Sequence, residues 1–273
     1  MNFFDKYPVL HPWKKYLRGQ ADVWYKPREV FWRNYLKHLN FQAQDKVLEV
    51  GCGPGVLLDR LGLKYKFSGV GLDASSKAID IAKSDKAWFK NEYLIGSAEK
   101  LPFGKESFDK VITFDVLEHL KNQTQAIKEM VRVLKPNGKI LIYTINSRQL
   151  GTWNWLISKF GVDIYKQFDH CEELLVDPKK LRIQLEKEGI EVQTLTYFNA
   201  FFSLIADELI MLFLKKWGQV IGWETHPKFA MMILRVLTLF SLILTPVFKV
   251  LDMPWTVFGY SNSFLIIGKK KNE

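Results

Sequence analysis

A chain of 273 residues with 48% hydrophobic content is long enough for one large domain, or one domain with a sizeable insertion, and too apolar to be disordered. Thirty-nine Lys and Arg against 29 Asp and Glu leave a net charge of +10, which calls for an anionic partner: nucleic acid, an anionic membrane surface or an acidic substrate. Two cysteines, Cys52 and Cys171, exclude a disulfide framework and a zinc spacing, and with no basic stretch leading into an apolar run at Met1–Lys6 a cytoplasmic chain without signal peptide is expected.

Residues 1–45 mix aromatic and basic side chains, with one helix predicted over about Pro27–Leu39. From Lys46 short apolar runs alternate with helical stretches. Lys46–Val50 reads as a buried strand and Val56–Leu61 as the helix after it. Phe67–Asp73 is a second strand, with a helix over about Ser76–Lys83, and Tyr93–Ser97 is a third. Phe108–Phe114 is the fourth, Gln123–Leu134 a helix, and Lys135-Pro-Asn-Gly138 a turn into strand Lys139–Tyr143. Strands alternating with helices at this spacing predict a parallel, doubly wound α/β sheet. Beyond residue 146 the rhythm loosens. Asp177-Pro178 is a helix start, an N-cap followed by proline at the first helical position, and Gly189 is its stop. Ile190–Tyr197 and Ser263–Gly268 read as the last two strands.

Val47-Leu-Glu-Val-Gly-Cys-Gly-Pro-Gly55 places three glycines at alternate positions between a strand and a helix. Glycine permits a tight turn and a close approach of ligand to backbone, and amides at a helix start bind negative or polar groups. Asp73 stands at the tip of the next strand, 24 residues after Glu49, where a carboxylate can accept from both hydroxyls of a ribose. The spacing is G-x-G-x-G after an acid, not the G-x-G-x-x-G of a dinucleotide loop. This loop resembles the first motif of the class I S-adenosylmethionine-dependent methyltransferases, which wraps the amino-acid end of the cofactor. Gly71-Leu-Asp-Ala-Ser75 is similar to the second motif, Gly96-Ser-Ala-Glu-Lys-Leu-Pro-Phe103 to the third and Phe108–Leu120 to the fourth. Leu134–Ile142 is similar to the turn and fifth strand, so the resemblance runs in order over residues 46–145.

The resemblance implies a Rossmann-like, seven-stranded sheet whose last two strands form an antiparallel hairpin. It implies S-adenosyl-L-methionine as cofactor, held by Glu49, Gly51, Cys52, Gly53, Gly55, Asp73, Ala74, Ser97, Ala98, Glu99, Phe114 and Asp115. Glu49 takes the ammonium side. Many relatives carry Asp at the Ser97 position for the adenine amino group; serine still accepts a hydrogen bond, and backbone groups at Ala98 take more of that contact. Cys52 is expected as a small filler and Glu99 as a solvated side chain.

Methyl transfer from a sulfonium is an in-line displacement, so holding the acceptor near the methyl group supplies much of the catalysis. A general base is needed only where the acceptor loses a proton. His119 and His170 are the candidate catalytic residues, because imidazole titrates near neutrality. His119 fits a pocket-shaping role equally well, and neither is fixed as the base. Tyr143, Tyr165, Trp153 and Trp155 are candidate pocket walls or core. No metal site is expected.

Phe229–Phe248 carries a single charge, Arg235, and meets the length for crossing a bilayer. Two arguments oppose a span. Arg235, Thr238, Ser241, Thr245 and Lys249 fall within one sector of roughly 120° at about 100° per residue, leaving a broad apolar face on a helix that Pro246 should kink or end. A single crossing would also strand the last strand across the membrane from its partner. Phe198–Leu214 is likewise amphipathic, with Asn199, Ser203, Asp207 and Glu208 to one side. Lysines and Trp217 and Trp255 beside these faces fit helices lying in an anionic membrane surface, the alternatives being a lid on the sheet or a dimer interface.

The expected organisation is an N-terminal helical cap over 1–45, the Rossmann-like domain over 46–198 and 259–273, and a helical, apolar insertion over 199–258. The leading function is methyl transfer to a small, hydrophobic or lipid-linked acceptor by a cytoplasmic chain peripheral to the inner face of the membrane. An RNA or protein methyltransferase and a non-catalytic cofactor-binding protein are the alternatives. Nucleic acid ranks lower, because Phe114-Asp-Val-Leu117 stands where amino-group methylating nucleic-acid enzymes carry Asn-Pro-Pro-aromatic. Oligomeric state is not read from the sequence.

Overall fold

The structure, a computed structural model, describes residues 23–84, 91–161, 174–221 and 227–272. An extended strap at residues 23–26 leads into helix α1 (Pro27–Leu36), with proline at its first position, where no amide is needed. The predicted helix breaks at Leu36 and continues as a 3-10 turn, Lys37–Leu39, closed by Asn40 at φ +51°. Strand β1 (Lys46–Val50) then feeds α2 (Val56–Tyr65), β2 (Ser68–Asp73), α3 (Ser76–Ser84) and β3 (Glu92–Ile95). β4 (Phe108–Phe114) matches its predicted bounds. α4 (Gln123–Val133) is capped by Asn122, whose side chain accepts from the Gln125 amide at 3.0 Å.

β5 (Leu134–Ile145) corrects the expectation of a turn followed by a shorter strand. Leu134 already pairs with Phe108, pairing resumes at Lys139 with Lys110, and Lys135–Gly138 bulges between them with Asn137 at φ +61°. α5 (Trp153–Ser158) and α6 (Pro178–Lys187) follow. Asp177 caps α6 through the amides of Lys179 and Lys180, and Gly189 ends it at φ +84°. Beyond β6 (Ile190–Phe198) come α7 (Phe202–Ile221), α8 (Pro227–Leu251), α9 (Met253–Thr256) and β7 (Ser263–Lys270).

The seven strands lie in the order β3-β2-β1-β4-β5-β7-β6. β1 to β5 are parallel, while β7 runs antiparallel to both β5 and β6. The expected doubly wound sheet with a terminal hairpin is therefore present. One face packs Leu48, Val50, Val111, Ile140, Ile142 and Phe264 against α4 and α6. The other packs Val47, Ile112, Leu141 and Leu265 beneath α1 and α2. Apolar residues on both faces follow from a sheet covered on both sides. The strand order reverses between β1 and β4, and such a reversal opens a crevice at the carboxyl ends of the strands.

α7 and α8 have their polar sides turned inward. Thr238, Ser241 and Thr245 of α8 are buried, and each bonds the strap or the start of α1. The Trp24 amide donates to Thr238 Oγ1 at 3.0 Å, Ser241 Oγ to the Tyr25 carbonyl at 3.0 Å, and Thr245 Oγ1 to the Pro27 carbonyl at 3.4 Å. Arg235 and Lys249 stay exposed at the edges of that stripe. On α7, Ser203 and Asp207 are buried, as is Asn199 just before it, while Leu209 and Leu212 face outward. Of the two outcomes expected of Pro246, a kink or an end, the helix does not end there: it runs on to Leu251. A proline inside a helix removes one hydrogen bond and crowds the preceding turn, at a cost of about 3 kcal/mol or more, and the bonds of Thr238, Ser241 and Thr245 to the strap and the start of α1 hold the helix on the N-terminal side of it. Asp252, just past α8, accepts from the amides of Ala200, Phe201, Phe202 and Ser203 and so caps α7.

Candidate active site

Gly51, Gly53 and Gly55 all adopt left-handed backbone, at φ +73°, +51° and +76°, which other residues take only with strain. A Cβ on Gly51 would collide with Val116 and one on Gly55 with the Tyr93 ring, so the loop is pressed between β4's exit and β3. The Gly51 and Cys52 amides donate to the Leu72 carbonyl at 2.7 and 3.1 Å, and the Gly53 amide to Asp73 Oδ2 at 2.8 Å. Asp73 Oδ1 accepts from the Ser75 amide at 2.8 Å. The acid at the tip of β2 thus holds the glycine loop directly.

Glu49 is buried, and its Oε2 has no partner. Burial and then the Asp59 charge push its pKa well above the ordinary carboxylate range, against a hydrogen bond from the Leu58 amide at the start of α2. Asp59 is itself engaged by the Tyr93 hydroxyl at 2.5 Å and by Asn91 at 2.9 Å. Cys52 is buried, and burial raises its thiol pKa well above the usual value, which opposes a thiolate nucleophile.

The remaining candidates line the same end of the sheet. Ala74 and Ser97 are exposed and Ala98 is buried. Ser97 Oγ accepts from the Glu99 amide at 3.1 Å. Glu99 is not simply solvated, as its sequence position implied: half-buried, it accepts from the Asn122 amide at 3.0 Å, tying the segment after β3 to the start of α4. Asp115 takes φ +53° and donates its amide to the Tyr143 carbonyl at 3.0 Å. His119 closes the 3-10 turn Leu117–His119 with its side chain exposed at this end. His170 and Tyr165 lie outside the described residues.

No local sequence signal reveals how α1 roofs this region. Phe31 stacks on Phe198 with centroids 3.8 Å apart, Trp32 packs on Phe114 at 4.9 Å, and Phe114 and Phe198 flank Tyr143 at 5.8 and 6.0 Å. One turn earlier on α1, Arg28 Nε lies 3.6 Å from Asp207 Oδ2, and the Arg28 amide donates to Asp207 Oδ1 at 3.3 Å. The signal that could have revealed this pair was Asp207, an acid inside an otherwise apolar stretch.

Comparison with known proteins agrees with this geometry. A family model described as "Methyltransferase domain" matches residues 48–142. The mitochondrial ubiquinone biosynthesis O-methyltransferase of Rattus norvegicus is 35% identical over 156 residues, covering 55% of this chain and 45% of its own. This chain therefore spans under half of that relative's length. The ubiquinone biosynthesis O-methyltransferase of Pelagibacter ubique is 31% identical over 176 residues, covering 56% of this chain and 70% of its own. The chain belongs to the class I S-adenosylmethionine-dependent methyltransferases. Among solved structures, this methyltransferase shares its fold with the Haemonchus contortus phosphoethanolamine N-methyltransferase 2 in complex with S-adenosylhomocysteine. That match has a TM-score of 0.59 at 18% identity and covers 88% of this chain and 52% of the other.

The residues present fit the family's cofactor, S-adenosylmethionine. Gly51 and Gly55 admit no side chain, Asp73 sets a carboxylate at the tip of β2 beside the loop, and the unpartnered Glu49 Oε2 lies buried near it. When bound, the cofactor supplies an electrophilic methyl group on a sulfonium.

Proposed function

We propose that this methyltransferase moves the S-adenosylmethionine methyl group to a small hydrophobic or lipid-linked acceptor while seated on an anionic membrane surface. The carrying observation is the outward face of α8. Val236, Leu239, Phe240, Ile243, Val247 and Val250 are all exposed, although the polar side of the helix is buried. Contiguous exposed apolar surface on this scale marks an interaction site. α7 adds Leu209 and Leu212, and the segment after α8 adds Met253, Val257 and Phe258.

Lys228–Leu251 is long and apolar enough to cross a membrane by length and composition. A surface-lying reading is supported by the buried bonds from α8 to the strap and by the return of β7 between β5 and β6. Exposed Lys228, Arg235 and Lys249 along α8 and the net charge of +10 supply attraction to anionic lipid. In this reading residues 46–198 and 259–273 form the catalytic domain, 1–45 its cap, and 199–258 the membrane-facing element at the inner, cytoplasmic face. The quinone-pathway names of the relatives favour a hydrophobic acceptor. In this reading Phe114, Asp115 and His119 belong to the methyl-transfer end, with His119 shaping the pocket or taking a proton.

Vesicle co-sedimentation tests the surface. The full chain is expected to pellet with anionic vesicles at low salt, and Leu239→Asp with Ile243→Asp to leave it in solution. A wild-type chain that stays in solution at low salt overturns the membrane reading. Labelled cofactor incubated with lipid, RNA and protein fractions tests the acceptor, with label expected in the lipid.

A further inference from the structure

Tyr93 of β3 is 4% exposed, and its ring lies against two glycines of the cofactor motifs. A Cβ on Gly55 would stand 2.5 Å from that ring and one on Gly71 2.7 Å, so the loop and β2 both close on it. Packing of this kind asks only for a ring, yet the side chain carries a hydroxyl. That hydroxyl donates to Asp59 Oδ1 at 2.5 Å, with the Gly55 carbonyl at 3.2 Å as a second acceptor for the same proton. The Gly55 carbonyl also accepts from the Asp59 amide at 3.0 Å, at the start of α2. Tyr93 thereby bridges the last glycine of the loop and the first turn of the helix after it.

Asp59 is fully buried, and a buried carboxylate is costly unless donors surround it. The Asn91 side-chain amide supplies a second donor at 2.9 Å. Asn91 and Tyr93 stand at the start of β3, so the acid and its two donors fasten α2 to that strand beside the loop. Between Gly55 and Asp59 lies Leu58, whose amide bonds Glu49. The turn that Tyr93 fixes is thus the turn that orients Glu49, whose Oε2 is left without a partner. Phenylalanine at 93 and leucine at 59 would fill the same space, and such apolar replacement of both partners is nearly neutral for stability. The polar tether therefore calls for a reason other than packing.

We infer that Tyr93 is a positioning residue for the cofactor: through Asp59 and Gly55 its hydroxyl holds the first turn of α2 where the loop and Glu49 meet the amino-acid end of S-adenosylmethionine. This rests on the cofactor assignment above and is independent of the acceptor. Bonds that set a binding loop in advance raise affinity by removing the cost of ordering it when the ligand arrives. A ribose falls to Asp73, whose bonds to the Gly53 and Ser75 amides do not pass through Tyr93. The tether accordingly acts on one end of the ligand.

Tyr93→Phe keeps the ring and removes the hydroxyl. The full chain is titrated by calorimetry with S-adenosylhomocysteine and with methylthioadenosine, which has the adenine and ribose but lacks the amino-acid end. S-adenosylhomocysteine is expected to bind the variant about fivefold more weakly than wild type, within what one hydrogen bond to a charged group carries, while methylthioadenosine keeps its affinity to within about twofold. A core that had merely loosened would weaken both. Should Tyr93→Phe not fold, Asp59→Asn and Asp59→Leu decide the matter. Both lack the charge beside Glu49, and only Asn still accepts from the hydroxyl, so Asp59→Asn is expected to hold S-adenosylhomocysteine about fivefold more tightly than Asp59→Leu. Equal losses for the two ligands in Tyr93→Phe, an unchanged S-adenosylhomocysteine affinity, or equal affinities in the two Asp59 variants overturns the inference. Wild type that binds neither ligand refutes the cofactor assignment and the inference with it. A chain that meets these expectations yet labels no lipid fraction keeps this role for Tyr93 and loses only the proposed function.

Discussion

Glu118 is wholly buried behind the turn that carries His119, its Oε2 accepting from the Thr144 hydroxyl at 2.7 Å while Oε1 has no partner. Burial and then the Asp115 charge push its pKa up from 4.5 to about 8, against the Thr144 hydrogen bond. A folded pKa above the unfolded one means that the fold prefers the neutral acid. That contribution is complete below about pH 4.5 and is lost as the pH rises through about 8. Glu118→Gln is therefore expected to keep its melting temperature between pH 5 and pH 9, where wild type falls by several degrees, at roughly 2–4 °C per kcal/mol for a domain this size. Thermal melts at the two pH values check this. At the cofactor loop, Asp73→Ala removes the acceptor for the Gly53 and Ser75 amides as well as for a ribose. Calorimetry is expected to show S-adenosylmethionine affinity falling at least about tenfold, since hydrogen bonds to charged groups contribute roughly 1.5–3 kcal/mol. The sequence carried Glu49, the three glycines and Asp73 plainly, because a backbone held at positive φ accepts few alternatives. Nothing local in it linked Arg28 to Asp207, since 179 residues separate them.

At the scale of elements, two polar devices fasten the apolar helices. Asp252 caps α7 across 49 to 52 residues of sequence, accepting from four successive amides and from the Ser203 hydroxyl. Replacing a capping acid by alanine costs about 0.5–2 kcal/mol, so Asp252→Ala is expected to lower the melting temperature by several degrees and Asp252→Asn by less. The second device is the inner stripe of α8. Thr238→Val and Thr245→Val keep the side-chain volume and remove the hydroxyls that bond Trp24 and Pro27. The Trp24 amide is then left unsatisfied, and the strap is expected to become the first cleavage site in limited proteolysis. Amphipathicity of α8 was legible from a 3.6-residue period, but its orientation was not. Periodicity says that two faces differ, not which one the rest of the chain can satisfy. The strap offers α8 backbone groups in need of partners, and hydroxyls meet that need where leucines cannot.

Over the whole molecule, an inward polar stripe leaves the apolar side of α8 as surface, a cost a water-bound monomer has no reason to bear. With +10 of net charge, vesicle binding by the full chain is expected to weaken between 50 and 500 mM salt, yet to keep a salt-resistant remainder from apolar insertion. Binding that vanishes completely with salt would show contact by charge alone. The sequence by itself determined the sheet, its parallel strands and the glycine loop, because each rests on local signals: apolar runs, turn residues and glycines at fixed spacing. The tertiary structure decided which face of α8 meets solvent, which hydroxyls hold the strap and that Arg28 meets Asp207. Those outcomes depend on pairings across 179 to 216 residues, where an unsatisfied hydrogen bond in one segment selects the side chain that answers it in another.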